Sequence, residues 1–173
     1  FAVQDANLGN TRVLQQWHSL NQADSLAALQ ASVQGLQGIP WVNTLATDAS
    51  GQALYLNQSV MPYVDAELLG RCSDPRAGLE IIVLDGSRSA CDWKVDPRTA
   101  QPGIFPAQLQ PQLRRGDFVQ HANDTAWLVN PAQPLTGFSP LVSRDGIPLG
   151  PRARFALTLS LIHISEPTRQ AEI

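Results

Sequence analysis

The chain has 173 residues, of which 43% are hydrophobic and 16% charged, and its formal net charge is −3 at pH 7. This length suits one domain with a core of its own. The slightly negative balance and the lack of a basic run argue against a nucleic-acid-binding protein, and no apolar run approaches the ~20 residues that span a bilayer.

Two helices are predicted near the start of the chain. The first covers residues 11–20 and the second residues 24–36, where Gly38 and Pro40 follow and stop it. Each segment repeats apolar residues at helical spacing, so each is expected to bury one face. These residues are Val13, Trp17 and Leu20 in the first helix, and Leu26, Leu29, Val33 and Leu36 in the second.

The next segments favour strands and loops. Residues 41–46 and 53–57 are predicted to pair as a hairpin, because the connecting residues 48–51 have turn-forming chemistry. An apolar run at residues 78–84 predicts another strand. Residues 96–111 contain four prolines and one glycine, which indicates an ordered connector without a long element.

A further strand is predicted at residues 118–123, where Phe118, Gln120 and Ala122 are interpreted as one face and Val119, His121 and Asn123 as the other, the period-2 pattern of a strand. Residues 131–151 are then rich in loop formers, and a helix is expected to begin over residues 152–156. Helices and antiparallel strands in one chain make the predicted fold class α+β.

Asn123 is the main candidate functional residue. A primary amide at the end of a half-buried strand offers uncharged N–H donors on a rigid support, and such donors can receive an oxyanion without reorganisation. The alternative interpretation is a turn former or backbone cap, which is the commoner role of asparagine at a strand end.

Cys72 and Cys91 bracket a loop of mixed polarity, and their spacing matches no zinc pattern. They are interpreted as a disulfide if the protein is exported, and closing such a loop would add roughly 3 kcal/mol of stability. Two free buried thiols in a cytosolic protein are the alternative.

Several segments, in order and at similar spacing, resemble the β-chain of the penicillin acylase family, and most closely its acyl-homoserine-lactone acylases. No segment is diagnostic by itself, but the set is specific for the family. The segments are N-L-G-N-T-R-V-L-Q-Q-W at 7–17, L-Q-G-I-P-W-V-N-T-L at 36–45, A-L-Y-L-N-Q-S-V-M-P-Y at 53–63, F-V-Q-H-A-N-D-T-A-W at 118–127, G-F-S-P-L-V-S at 137–143 and G-P-R-A-R-F-A-L at 150–157.

The resemblance implies part of a four-layer αββα sandwich, the fold of N-terminal-nucleophile hydrolases. In that family a serine freed by self-cleavage of a precursor is the nucleophile, and its own α-amine is the base. The match places Phe1 inside the β-chain, so we expect the nucleophile and the α-chain to lie outside this sequence. This segment by itself is therefore expected to be inactive.

The implied reaction is hydrolysis of the amide of an N-acyl compound, with acyl-homoserine lactones as the expected substrates and the α-chain of the same precursor as the partner. Neither a cofactor nor a metal is implied. A periplasmic location follows from the family, which in turn favours the disulfide. Two alternatives stay open: a penicillin, cephalosporin or lipopeptide acylase of the same family, and a non-catalytic module that binds a lipid-like ligand.

The resemblance also implies roles for individual residues. Asn123 matches the oxyanion-hole asparagine of the family. Trp17, Trp41 and Val42 match residues that line an apolar pocket for the acyl chain, although ordinary core packing is the alternative for them. His121 is interpreted as structural or as part of the pocket rim, because the serine's own amine carries out the proton transfer.

The end of the chain departs from the family. Residues 1–158 are interpreted as the partial acylase domain, and residues 159–173 as a non-native tail that resembles a translated sequencing adapter. His163, Ser165 and Glu166 lie in this tail, and we do not interpret them as a catalytic triad, since nothing orients them and Pro167 interrupts the segment.

Overall fold

The computed structural model describes residues 2–74 and 82–165, with side chains as far as residue 161. Helices and a small antiparallel sheet alternate along the chain, which confirms the predicted α+β class. The helices are α1 (Val13–Asn21), α2 (Leu26–Leu36), α3 (Ala66–Cys72) and α4 (Pro151–Ser165), and the strands are β1 (Thr44–Thr47), β2 (Ala53–Leu56) and β3 (Gln112–Arg115). Among the residues that the structure describes, short 3₁₀ turns occupy Ser89–Cys91, Ala107–Leu109 and Ala126–Leu128.

Helix α2 has the clearest local signals. Its N-cap is Ser25, whose hydroxyl accepts a hydrogen bond from the backbone N–H of Ala28 at 3.2 Å. The helix ends at Leu36 as predicted, because Gln37 adopts the left-handed conformation with φ of 45°.

Helix α1 packs differently from the prediction. The expected inward face included Trp17, but this side chain is 41% exposed, and the fully buried residue of the helix is Gln16. The Gln16 amide oxygen accepts from the N–H of Gly38 at 3.0 Å, and its amide nitrogen donates to Ser32 Oγ at 3.0 Å. Where α1 meets α2, this polar contact therefore stands beside the apolar packing of Leu20 against the core.

The sheet has β2 in the centre, paired antiparallel with β1 and β3. The predicted hairpin is confirmed, although β1 begins at Thr44 and leaves Trp41 outside the strand. All four β2 residues are buried. Because strand side chains alternate, Leu54 and Leu56 pack into the core beneath α2. Tyr55 points to the opposite side of the sheet and packs there with Leu113 and Val129.

The predicted strand at residues 118–123 is wrong. The third strand is β3, which ends at Arg115. Just beyond it, Asp117 accepts from the Arg115 guanidinium at 2.7 Å and from the Phe118 N–H at 2.7 Å, and these bonds turn the chain off the sheet. In the segment that follows, residues 118–123, the Gln120 N–H donates a hydrogen bond to the backbone carbonyl oxygen of Val129, in a loop, at 2.9 Å.

Helix α3 was not predicted, although Asp65 caps it by accepting from the Leu68 N–H at 2.9 Å. Its last residue, Cys72, forms a disulfide with Cys91, and the two Cα atoms are 5.5 Å apart. This pairing agrees with the expected bridge. The predicted strand at 78–84 lies mostly outside the described residues. In its described part, residues 82–84, Leu84 forms an isolated antiparallel bridge with Ser73.

Helix α4 begins one residue before its predicted start, at Pro151, a position where the missing proline N–H is tolerated. Its backbone continues without a break through residue 165, and so into the segment interpreted as a tail. Within the described residues, no helix has both the length and the apolar character needed to cross a bilayer.

Candidate functional site

Asn123 lies on a turn between the sheet and the 3₁₀ turn at Ala126–Leu128. Its φ of 54° is left-handed, and its side chain is exposed. Within the described part of the chain, the side-chain amide makes no hydrogen bond, whereas the backbone N–H does. An asparagine acting as a backbone cap would use its side-chain oxygen locally, and no such contact is present among the described residues, whereas a left-handed φ on a turn is what a turn-forming asparagine adopts.

The backbone of Asn123 is held by the ring of His121. The Asn123 N–H donates to His121 Nδ1 at 3.3 Å, and His121 Nε2 lies 2.9 Å from the carbonyl oxygen of Asp124. An N–H can only donate and a carbonyl can only accept, so these contacts require the neutral ring with its proton on Nε2. Burial lowers the pKa of His121, which favours the same neutral form.

The His121 ring is stacked on Tyr55, with ring centroids 5.3 Å apart and 27° between the planes. Tyr55 is fully buried in β2, and its hydroxyl donates to Asn43 Oδ1 at 2.7 Å. Burial raises the pKa of Tyr55, so the hydroxyl remains a neutral donor. The most buried strand of the sheet therefore supports the turn that carries Asn123.

Asp124 ties the same turn to helix α4. Its two carboxylate oxygens accept from the N–H groups of Thr125 and Gly150, each at 2.8 Å. A Cβ atom added at Gly150 would lie 3.3 Å from the carboxylate, which leaves little room for a larger residue. Arg152, in the first turn of α4, donates from Nε to the carbonyl oxygen of Ala122 at 2.9 Å.

A third set of contacts closes the turn from the other side. Thr125 Oγ1 lies 2.8 Å from Ser143 Oγ, and it also donates to the carbonyl oxygen of Arg144. Ser143 Oγ accepts from the Ala126 N–H at 3.1 Å. A cavity of about 320 Å³ opens here, lined by residues 123–125 on one side and by residues 140–144 and Ile147 on the other.

The three residues expected to bind an acyl chain lie apart from this cavity. Trp41 is 78% exposed, while Val42 is half-buried and packs against the core beneath α2. None of the three residues, Trp17, Trp41 and Val42, lines the cavity beside Asn123. The two regions are nevertheless connected, because Asn43 follows Val42 in the chain and accepts from the hydroxyl of Tyr55, whose ring stacks on His121.

Several residues that support the turn at Asn123 are revealed only by the structure. The sequence does not predict the supporting role of Tyr55, Asn43, Ser143 and Gly150, and it indicates only a structural or pocket-rim position for His121. All four lie within the segments that resemble the penicillin acylase family, but the resemblance does not indicate their role, since each acts through a contact that is distant in sequence. A search of the described residues finds no group of histidine, cysteine and acidic side chains that could hold a metal ion.

The Asn123 side chain is a neutral amide without a hydrogen bond among the described residues, on a turn held by its neighbours. Enzymes of acyl transfer use groups of this kind to bind an oxyanion. The sequence profile described as Penicillin amidase matches residues 1–169. The chain therefore belongs to the penicillin amidase family.

The curated relatives are acylases. The chain is 69% identical over 157 residues to the acyl-homoserine lactone acylase PvdQ of Pseudomonas putida, and 68% identical over 157 residues to that of Pseudomonas syringae pv. tomato. It is 39% identical over 162 residues to the aculeacin-A acylase of Actinoplanes utahensis. Each match covers 91% of this chain, which spans 20% of the length of the two Pseudomonas proteins and 21% of the third.

Proposed function

We propose that this chain is a segment of an acylase that hydrolyses the amide bond of N-acyl compounds, with N-acyl-homoserine lactones as its substrates. The similarity to the Pseudomonas acyl-homoserine lactone acylases supports this substrate class. The nucleophile would be the serine that the family resemblance implies, freed by self-cleavage and outside this sequence. The α-chain of the same precursor would be the partner, in the periplasm.

Asn123 would stabilise the oxyanion. When the serine attacks the substrate carbonyl, negative charge develops on oxygen, and an amide N–H of Asn123 would donate to it. The observation that carries this proposal is the side-chain amide, exposed and without a hydrogen bond in the described residues, on a backbone fixed by neighbouring contacts. One preorganised donor of this type contributes about 2.7–4 kcal/mol to transition-state stabilisation.

Trp17, Trp41 and Val42 would bind the acyl chain. The two indoles are 41% and 78% exposed and are large apolar surfaces against which an acyl chain could pack. Each methylene buried against them would contribute ~0.8 kcal/mol, so the length of the acyl chain would govern specificity.

The test is a set of three substitutions in the complete acylase that carries this chain. Asn123→Gly removes the amide but tolerates the left-handed backbone, Asn123→Ala removes the amide and strains it, and Asn123→Asp keeps the shape but loses the N–H donors. We expect kcat to fall by roughly 10²–10³-fold in all three variants, because each lacks the donor. Release of free homoserine lactone from the N-acyl substrate gives kcat and KM.

Maturation must first be checked by gel electrophoresis, since an unprocessed precursor would mimic a catalytic defect. The glycine variant decides between the interpretations. If matured Asn123→Gly kept near-normal kcat while Asn123→Ala lost activity, the residue would serve backbone conformation and the oxyanion assignment would be wrong.

A second substrate class within the same reaction is supported by the aculeacin-A acylase relative. The discriminating measurement is the ratio of kcat/KM for an N-acyl-homoserine lactone and for aculeacin A with the same enzyme. A ratio that favours aculeacin A would move the substrate assignment, while leaving the reaction type unchanged.

A further inference from the structure

A continuous series of contacts runs from the centre of the sheet to the backbone of Asn123. Asn43 accepts from the Tyr55 hydroxyl at 2.7 Å, the Tyr55 ring stacks on His121, and His121 Nδ1 accepts from the Asn123 N–H at 3.3 Å. Tyr55 is fully buried in β2. Since its base is rigid, this series can fix the direction of the turn at its end.

His121 acts on the turn in the way an asparagine or aspartate often does. An Asx side chain at position i accepts from the N–H of residue i+2 through the atom two bonds beyond Cβ. Nδ1 of histidine occupies the same place on the side chain. His121 adds what an Asx residue lacks, a second ring nitrogen that bonds the Asp124 carbonyl at 2.9 Å and a flat face against Tyr55.

We propose that His121 is a positioning residue for the oxyanion donor: its neutral ring, backed by Tyr55, holds Asn123 in the left-handed conformation and so aims the Asn123 amide. This inference rests on the proposed function. It does not require His121 to touch substrate or transfer a proton. If the Asn123 backbone relaxed to negative φ, its Cβ would point elsewhere, and a misplacement of about 1 Å can lower a rate roughly 100-fold.

The proton state of the ring matters to this role. Protonation would place an N–H on Nδ1 opposite the Asn123 N–H, so the bond would be lost. Two titratable residues face the ring among the described residues: Tyr55 from β2 and Asp124 from the turn itself. Helix α4 contributes one charged residue near the turn, Arg152, which donates to the Ala122 carbonyl oxygen. The Asp124 carboxylate is engaged by the N–H groups of Thr125 and Gly150.

Two variants of the complete acylase distinguish the contribution of the His121 Nδ1 acceptor from that of the aromatic ring. His121→Phe keeps a ring for Tyr55 but removes Nδ1, and we expect kcat to fall about 10- to 100-fold at neutral pH with little change in KM. His121→Asn restores an acceptor that cannot be protonated in this range. We expect it to recover kcat to within about threefold of the parent, and to retain a larger share of that kcat at acid pH than the parent does.

A double variant tests whether His121 acts through Asn123. In the Asn123→Gly background, His121→Phe should lower kcat by no more than about twofold, because the amide it positions is already gone. An additional 10-fold loss there would assign His121 another role and overturn the proposal.

The remaining outcomes are equally decisive. Matured His121→Phe with kcat within twofold of the parent would overturn the proposal, as would His121→Asn reduced 10-fold or more. If His121→Phe does not mature, the kcat and acid-pH behaviour of His121→Asn decide alone. Near-normal kcat in Asn123→Gly would instead refute the oxyanion role of Asn123 on which this proposal rests, whereas no hydrolysis of any N-acyl substrate by the matured parent would refute the proposed function, so the failures are distinguishable.

Discussion

Gln16 joins helix α1 to the segment that leads into Trp41, and replacing it with leucine tests how the two tryptophans are held. The side chain is fully buried. Its oxygen accepts from the Gly38 N–H at 3.0 Å, three residues before Trp41, while Trp17 is its immediate neighbour on the helix. The substitution Gln16→Leu preserves most of the volume and removes the acceptor.

The substitution Gln16→Leu destabilises the structure mainly at Gly38. Its buried N–H would have no acceptor, and an unsatisfied buried donor costs about 1–3 kcal/mol. Ser32 loses its bond from Gln16 but still donates to Ser19 Oγ at 2.8 Å, so its hydroxyl proton stays satisfied. At 1.4 kcal/mol per factor of ten, this range corresponds to roughly 5- to 150-fold more frequent local opening around Gly38.

Hydrogen exchange followed by mass spectrometry on the complete acylase measures this directly. The peptide covering residues 37–42 should exchange faster in Gln16→Leu by about the factor given above. The matched control is Gln15→Leu, because Gln15 is an exposed neighbour on the same helix. Equal exchange of this peptide in Gln16→Leu and Gln15→Leu would refute the reasoning, and the polar contact would then contribute nothing to the attachment of α1.

Two further predictions concern the same region. Trp41→Ala should change which acyl-chain lengths are accepted, seen as a shift in kcat/KM across a series of N-acyl substrates with kcat on the best substrate little altered, and an unchanged series would remove Trp41 from the pocket. Gly38→Ala should lower the melting temperature, because a Cβ there would lie 2.8 Å from the Arg12 carbonyl oxygen and 2.9 Å from Gln16 Cβ. Gly35→Ala is its control, since nothing lies within 4 Å of that Cβ and alanine favours the helix by up to about 1 kcal/mol.

Elements with strong local signals were predictable from the sequence. Helix α2 combines a serine cap with an apolar stripe, and the hairpin has a turn in which Asp48 Oδ1 accepts from the N–H groups of Ser50 and Gln52 at 2.9 and 3.2 Å. Helix α3 shows why signals alone are not enough. Asp65 and Glu67 mark its start, but its seven residues are too few for a periodic pattern to emerge.

The strand error has a different cause. Residues 118–122 are all half-buried, so the two faces expected of a strand do not differ in burial, and a side-chain pattern carries no information about where the backbone finds hydrogen-bond partners. Asp117 accepts from Arg115 and from the Phe118 N–H, so the chain leaves the sheet before the alternating segment begins. The ladder is set by pairing with β2, in which Ala53 lies opposite Arg115.

The candidate site divides in the same way. The resemblance identified Asn123, because a motif carries the residue and its neighbours together. The groups that brace it come from β2, from the loop at Ser143 and from the residue before α4, and each meets the turn through tertiary contacts. No sequence window contains such contacts, so the bracing could only be found in three dimensions.

The two non-glycine residues with positive φ in the described chain are both amides, and the contrast between them bears on function. Gln37 ends α2, and its side chain accepts from the Ala100 N–H at 2.8 Å and donates to the Phe105 carbonyl at 3.0 Å. These bonds help offset a backbone conformation that costs roughly 1–2 kcal/mol for an ordinary residue. Asn123 adopts the same conformation, but no such bond from its side chain exists among the described residues. Its neighbours stabilise the conformation instead, which leaves the amide free, and a strained residue braced by others with an unused donor is the pattern expected where that donor serves a ligand.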